Sequence, residues 1–210
     1  MKKMIKAILI LGASLLPLAG MATPLAYVEG VHYKPTAQRI ATSDEKVVEV
    51  IEMFSYSCPH CFNLDPQIHE WEKTLPENVS FSRVPAIFRD SWLQLARVFY
   101  AAEVTGDLEK LHSVMFSAIH VDKRRLETEE QLLDFIAEQD IDRDKFAKTM
   151  DSFSVKGKVK KALLVSQTSG ITGVPSMIVN GKYIVDAPMA GGMEEMLKVV
   201  DFLVQQESAK

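Results

Sequence analysis

Thiols are nearly missing from this chain. Its 210 residues include two, Cys58 and Cys61, separated only by Pro59 and His60. That scarcity removes a framework of disulfides tying distant segments together. Closing a four-residue ring constrains the unfolded chain by only about 2 kcal/mol, against about 4.7 for a 100-residue loop. A structural zinc site wants four ligands, commonly two cysteine pairs, or one pair with two histidines. No second pair exists, and the five histidines (His32, His60, His69, His112 and His120) lack the H-x₃₋₅-H spacing. No metal is therefore expected. Excess positive charge is also absent: 24 Lys and Arg face 28 Asp and Glu. A mildly acidic chain is a poor match for nucleic acid or an anionic membrane surface. There is no internal repeat, no low-complexity tract, and no apolar run after the N-terminal segment long enough to span a bilayer.

The N-terminal segment reads as an address. Lys2, Lys3 and Lys6 precede an apolar run from Ala7 to Leu18, and small residues follow at Gly20 and Ala22. This charged, apolar, small-residue order is that of a secretory signal peptide. Residues 1–22 are assigned to it, with cleavage after Ala26 as the alternative. Cleavage removes three lysines and leaves a more acidic mature chain of ordinary globular composition. Export matters for the thiols, because disulfides persist in oxidising compartments.

The stretch KVVEVIEMFSY, 46–56, has apolar residues on both alternating rows, with Val47, Ile51 and Met53 on one and Val48, Val50 and Phe54 on the other. That pattern predicts a strand buried on both faces, central in a sheet. Residues 62–75 have helical character. Pro59 suits the first helical position, where its missing N–H costs nothing. Cys58 then falls at the N-cap. Unpaired N–H groups and the positive end of the helix dipole favour a thiolate there. His60 adds a positive charge or a hydrogen bond. Cys61, at i+3, can reach Cys58 and should be the more sheltered of the two. Pro66 predicts a kink rather than a stop, because helical character resumes at Gln67.

Residues 78–84 predict a second strand. Helices are expected over 91–104, 108–119, 129–139, 143–150 and 154–169. Thr128 with Gln131 forms a capping box, Asp142 an N-cap and Gly170 a C-terminal stop. SMIVNGKYIV, 176–185, predicts a hairpin around Asn180-Gly181. An amphipathic helix over 192–206 closes the chain. The order β-α-β, helices, β-β-α predicts an α/β domain split by an insertion.

Cys58-Pro59-His60-Cys61 after a central strand, Gly173-Val174-Pro175-Ser176 before the hairpin, and the helices between them together resemble the DsbA-type thiol:disulfide oxidoreductases of the thioredoxin superfamily. The resemblance covers nearly all of the mature chain. It implies a thioredoxin-like fold, a central mixed sheet flanked by helices, formed by 23–88 and 165–210, with an inserted all-helical domain at 89–164. It implies a periplasmic enzyme that donates a Cys58–Cys61 disulfide to reduced, unfolded exported proteins through a mixed disulfide at Cys58. A DsbB-type membrane quinone-linked oxidase would restore the pair. No cofactor beyond the disulfide, no nucleic acid and no assembly beyond a monomer is expected.

The resemblance also assigns residues. It implies a cis Val174-Pro175 bond beside the cysteines, with the Val174 backbone free to pair with an extended substrate. Glu52, six residues before Cys58, matches the family's buried acid. A desolvated carboxyl there would relay the Cys61 proton. Arg83 falls near a position where the family often carries a lysine and is a candidate partner for Glu52. Of the methionines near Pro188, Met196 is expected in the core and Met189 in a peptide groove. Phe62 and Trp92 are expected to pack. An isomerase or reductase on the same scaffold and a non-enzymatic binding module or chaperone are the alternatives. Isomerases of the DsbC type carry an N-terminal dimerisation domain, and too few residues lie between Ala22 and Cys58 to hold one.

Overall fold

A computed structural model describes residues 27–209. The expected signal peptide, 1–22, lies outside the described residues. The elements in chain order are β1 (Lys34–Pro35), β2 (Val48–Phe54), α1 (Pro59–Glu72), β3 (Val79–Pro85), α2 (Asp90–Thr105), α3 (Leu108–His120), α4 (Glu129–Ala137), α5 (Arg143–Met150), α6 (Phe153–Thr168), β4 (Ser176–Val179), β5 (Tyr183–Asp186), α7 (Ala187–Ala190) and α8 (Met193–Ser208).

The five strands form one mixed sheet in the order β1-β5-β4-β2-β3. β2 runs parallel to β3 and antiparallel to β4, and this sets Glu52 opposite Arg83 on one side and Met177 on the other. The two rows of β2 serve different layers. Val48 and Val50 pack with Leu64, Ile68 and Trp71 of α1 and with α8, whereas Met53 packs with Ile178, Ile184 and Val165 on the opposite face. The Trp71 indole N–H donates to Asp201 Oδ1 at 2.8 Å and ties α1 to α8.

The helices α2–α6 stand between β3 and β4. Their core is continuous with the sheet's end: Phe54, Tyr56 and Cys61 lie in the same buried cluster as Phe99, Phe116, Leu132 and Phe146. Along α6 the packing changes hands, Ala162 joining the helical cluster and Val165 the sheet cluster. Thr128 and Gln131 form the capping box, and Asp142 accepts from the Lys145 N–H. Asn180 and Gly181 both have positive φ, 50° and 63°, as a two-residue type I′ hairpin requires.

Local details depart from the sequence reading. α1 continues past Pro66, as expected, but ends at Glu72 rather than Leu75. β1 and α7 carry no pattern of their own, being two and four residues long. β1 exists because Lys34 and Pro35 pair with Ile184 and Tyr183.

Candidate active site

Chain connectivity places Cys58 at the end of β2 and the start of α1. It is the N-cap, with extended backbone and Pro59 following at the first helical position. Both cysteines are free thiols, Cys58 partly exposed and Cys61 fully buried. The Cys58 thiol caps nothing in its protonated form, and donates instead to the Val174 carbonyl oxygen at 3.3 Å.

Ionisation changes what the sulfur can accept. The Cys61 thiol donates to it, and the His60 and Cys61 backbone N–H groups and the His60 charge add to this against a desolvation penalty. The Cys58 pKa is lowered to about 6. Burial acts the other way on Cys61: with no solvent at its sulfur, and with its bond to Cys58 and the charge of Glu52 adding to burial, its thiol is pushed far up. The geometry thus separates an accessible, readily ionised sulfur from a sheltered one that holds its proton. Pro59 and His60 are exposed on the rim.

The loop before β4 forms the facing wall. Val174-Pro175 is a cis peptide bond, Val174 is half-buried and Pro175 buried. A groove of about 320 Å³ adjoins it, lined by His60, Gly173, Val174, Pro175, Pro188 and Met193 among others. Met193 rather than Met189 stands in its wall, because the short α7 directs the chain so that the start of α8 faces the groove. Met196 is fully buried.

Beneath the cysteines lies a polar chain drawn from four elements. Glu52 is 2 % exposed, and Arg83 Nε donates to its Oε2 at 3.1 Å. Burial pushes the Glu52 carboxyl up to about 7, with Arg83 opposing and Asp65 reinforcing. Arg83 also reaches Asp65 Oδ1 through Nη2 at 3.4 Å. Asp65 Oδ1 meets His112 Nε2 at 3.1 Å, and His112 Nδ1 meets the Tyr56 hydroxyl at 2.9 Å. Glu52 and Arg83 were legible as candidates. Asp65, His112 and Tyr56 were missed. The available signal was His112 in the apolar row of α3 beside Leu111, Met115 and Phe116, all buried. Phe62 stacks on His120 at 5.1 Å, and Trp92 packs against the buried cluster that holds Met53, Ile171 and Ile178. Among the described residues, no group of three or more His, Cys, Asp or Glu could hold a metal ion.

A Cys-x-x-Cys pair at the mouth of the helix after a central sheet strand, with its two thiols driven to opposite ionisation, defines a thiol:disulfide oxidoreductase of thioredoxin fold. Comparison with known proteins narrows the class. Residues 76–201 match the model of the DSBA-like thioredoxin domain, a region beginning after the cysteine pair. The pair itself is covered by full-length relatives. The thiol:disulfide interchange protein DsbA of Pseudomonas aeruginosa is 37% identical over 209 residues, covering 100% of this chain and 98% of the relative. That of Azotobacter vinelandii is 39% identical over 210 residues, covering 99% and 98%. A crystal structure of Pseudomonas aeruginosa DsbA superposes with a TM-score of 0.82 at 39% identity over 87% of this chain and 95% of that one. The Xylella fastidiosa oxidoreductase DsbA gives 0.81 at 29% over 88% and 99%. The chain belongs to the DsbA family of thiol:disulfide oxidoreductases.

Proposed function

We propose that this protein is a periplasmic dithiol oxidase whose reactive disulfide is Cys58–Cys61, and whose clients are reduced, unfolded exported proteins. The observation that carries this reading is the contrast between the two thiols, Cys58 lowered to about 6 and Cys61 buried and raised. Stabilising the Cys58 thiolate stabilises the reduced pair and makes Cys58 a good leaving group, and both favour giving the disulfide away.

A client thiolate attacks Cys58 Sγ. The Cys58–Cys61 bond breaks, and Cys61 leaves as a thiolate that takes a proton from the Glu52 carboxyl. The client's second thiolate attacks its own sulfur in the mixed disulfide and expels Cys58 as a thiolate. The client loses two electrons and the pair gains them. Pro59 and His60 tune Cys58, while Val174 and Pro175 receive the client backbone. A DsbB-type quinone-linked membrane oxidase takes the electrons onward. The pair needs no further cofactor, and residues 89–164 act as the inserted helical unit covering the site of a monomeric enzyme.

The test is the equilibrium redox state of Cys58–Cys61 across glutathione buffers. A pair that stays reduced in relatively oxidising buffer supports donation. A pair that remains oxidised until conditions are strongly reducing points to a reductase and sinks this reading.

A further inference from the structure

The insertion contributes one polar side chain to the chain beneath the cysteines. His112 is 9 % exposed, on the face of α3 that packs against Phe54, Tyr56 and Phe99, with Phe116 of the same helix beside it. Its two ring nitrogens have different partners, and chemistry fixes their direction. An ionised Asp65 only accepts, so Nε2 must carry the hydrogen it donates; Nδ1 then accepts from the Tyr56 hydroxyl in a neutral ring. Burial, which lowers the His112 pKa, favours that neutral form, although Asp65 opposes it. Burial is the largest single influence on Asp65 and disfavours its charge, but the His112 bond and the surrounding positive charge, Arg83 included, together outweigh it, and the carboxyl lies below its ordinary value. Arg83 is therefore shared between two ionisable carboxyls, Glu52 and Asp65, with Glu72 more distant at 3.8 Å.

We propose that His112 is a positioning residue for the redox reaction: by donating to Asp65 it satisfies that carboxylate, keeps the Arg83 guanidinium on Glu52, and so sets the pH at which Glu52 exchanges the Cys61 proton. The proposal rests on the Glu52 role given above. Without the imidazole, Asp65 Oδ1 loses its 3.1 Å donor and draws in the guanidinium that now stands at 3.4 Å. Glu52 is then left in the same desolvated place with less of its counter-charge. The groups facing Glu52 are Arg83 from β3 and Asp65, Cys58 and Cys61 from α1; those facing His112 are Asp65, Arg83, Glu72 and Tyr56.

The step to watch is resolution of a Cys58–glutathione mixed disulfide, in which Cys58 carries no titrating proton. Cys61 gives its proton to the Glu52 carboxylate, its thiolate bonds to Cys58 Sγ, and glutathione leaves as a thiolate. Stopped-flow mixing of the reduced protein with excess oxidised glutathione yields this step as the concentration-independent phase. Its rate should rise with pH through the Glu52 ionisation. In His112→Leu the rise should move to higher pH by about half a unit or more, following the loss of an opposite charge from a buried carboxyl. His112→Gln, whose amide can donate to Asp65 and accept from Tyr56, should restore the profile. Asp65→Asn removes the repelling charge and should move the rise to lower pH; it carries the test alone if His112→Leu does not fold. A folded His112→Leu with the parent profile, a Gln variant displaced as far as Leu, or an unmoved Asp65→Asn overturns the proposal. Glu52→Gln separates the two levels. If the rise survives that change, the Glu52 role falls and this proposal with it. If the rise vanishes there but is unmoved in His112→Leu, only the positioning role falls.

Discussion

Cys58 Sγ lies 3.3 Å from the Val174 carbonyl oxygen, though the two residues are 116 positions apart in sequence. The contact is an S–H donation, so it belongs to the protonated thiol and is lost when Cys58 ionises. A carbonyl left without that donor beside a reacting sulfur is suited to a backbone N–H from an extended client segment. Blocking the N–H groups of a reduced two-cysteine model peptide one at a time by N-methylation should expose that pairing. One position should slow oxidation by about tenfold, the worth of one neutral hydrogen bond of about 1.4 kcal/mol. Uniform rates along the peptide would show that the Val174 carbonyl takes no part.

The lowered Cys58 pKa gives a titration with a definite sign. Followed by thiolate absorbance, the reduced protein should be half-ionised near pH 6, well below the ordinary thiol value of 9.0. Between those values the unfolded chain holds a proton that the folded one has released, so stability of the reduced protein rises with pH across this window. It is fully present above about 9 and lost as pH falls through about 6. His60→Leu removes one positive charge from the sulfur and should move the midpoint up by less than about one unit, since a neighbouring charge is one of several causes. A midpoint near 9 in the parent protein would contradict the anion-stabilising geometry.

How far the sequence reaches is set by the range of each interaction. The N-cap position of Cys58, the Thr128–Gln131 box and the Asn180-Gly181 turn depend on neighbours within four residues, and each is visible as a spacing. Glu52 could be flagged as an acid in an apolar strand, but its bond to Arg83 follows from the parallel register of β2 with β3. The rest of the polar chain combines a residue after β2 (Tyr56), one on α1 (Asp65) and one on α3 (His112). No periodicity relates three elements whose contact is made by packing of the insertion. The same holds for β1, two residues that are extended only because β5 offers an edge. The groove wall shows the limit from another side: composition named a cluster of methionines, while the turn at α7 decided that Met193 faces the cavity.

The hairpin turn supplies a stability test remote from the cysteines. Gly181 has φ +63°, and a Cβ added there would sit 2.0 Å from the Ile40 carbonyl oxygen, a backbone atom that also belongs to the residue whose N–H donates to Gly181. Neither the conformation nor the space admits a side chain. Gly181→Ala should destabilise the protein by more than about 1 kcal/mol, the scale at which a left-handed position penalises alanine. Urea unfolding would show a lower midpoint at unchanged slope. The Cys58 titration should stay where it is, because the turn does not touch the site. Parent-like stability would mean that the segment around Ile40 moves away at little cost.

Glu52 offers the opposite pH signature to Cys58 in the same molecule. Its carboxyl is raised from 4.5 to about 7, chiefly because burial disfavours the charge, with Arg83 only partly compensating. From pH 4.5 to about 7 the folded protein therefore holds a proton that the unfolded chain has released. Stability falls as pH rises through that interval and levels off above it. Glu52→Gln carries no proton to lose, so this decline should be absent from its profile. The variant should gain on the parent protein as pH is raised from 5 to 8, even if the loss of charge opposite Arg83 makes it weaker throughout. Working with the oxidised protein removes the Cys58 contribution, whose slope has the other sign. Urea midpoints of both proteins across that range decide the matter. Parallel profiles would mean that Glu52 titrates as an ordinary carboxylate, with Arg83 holding it ionised despite its burial.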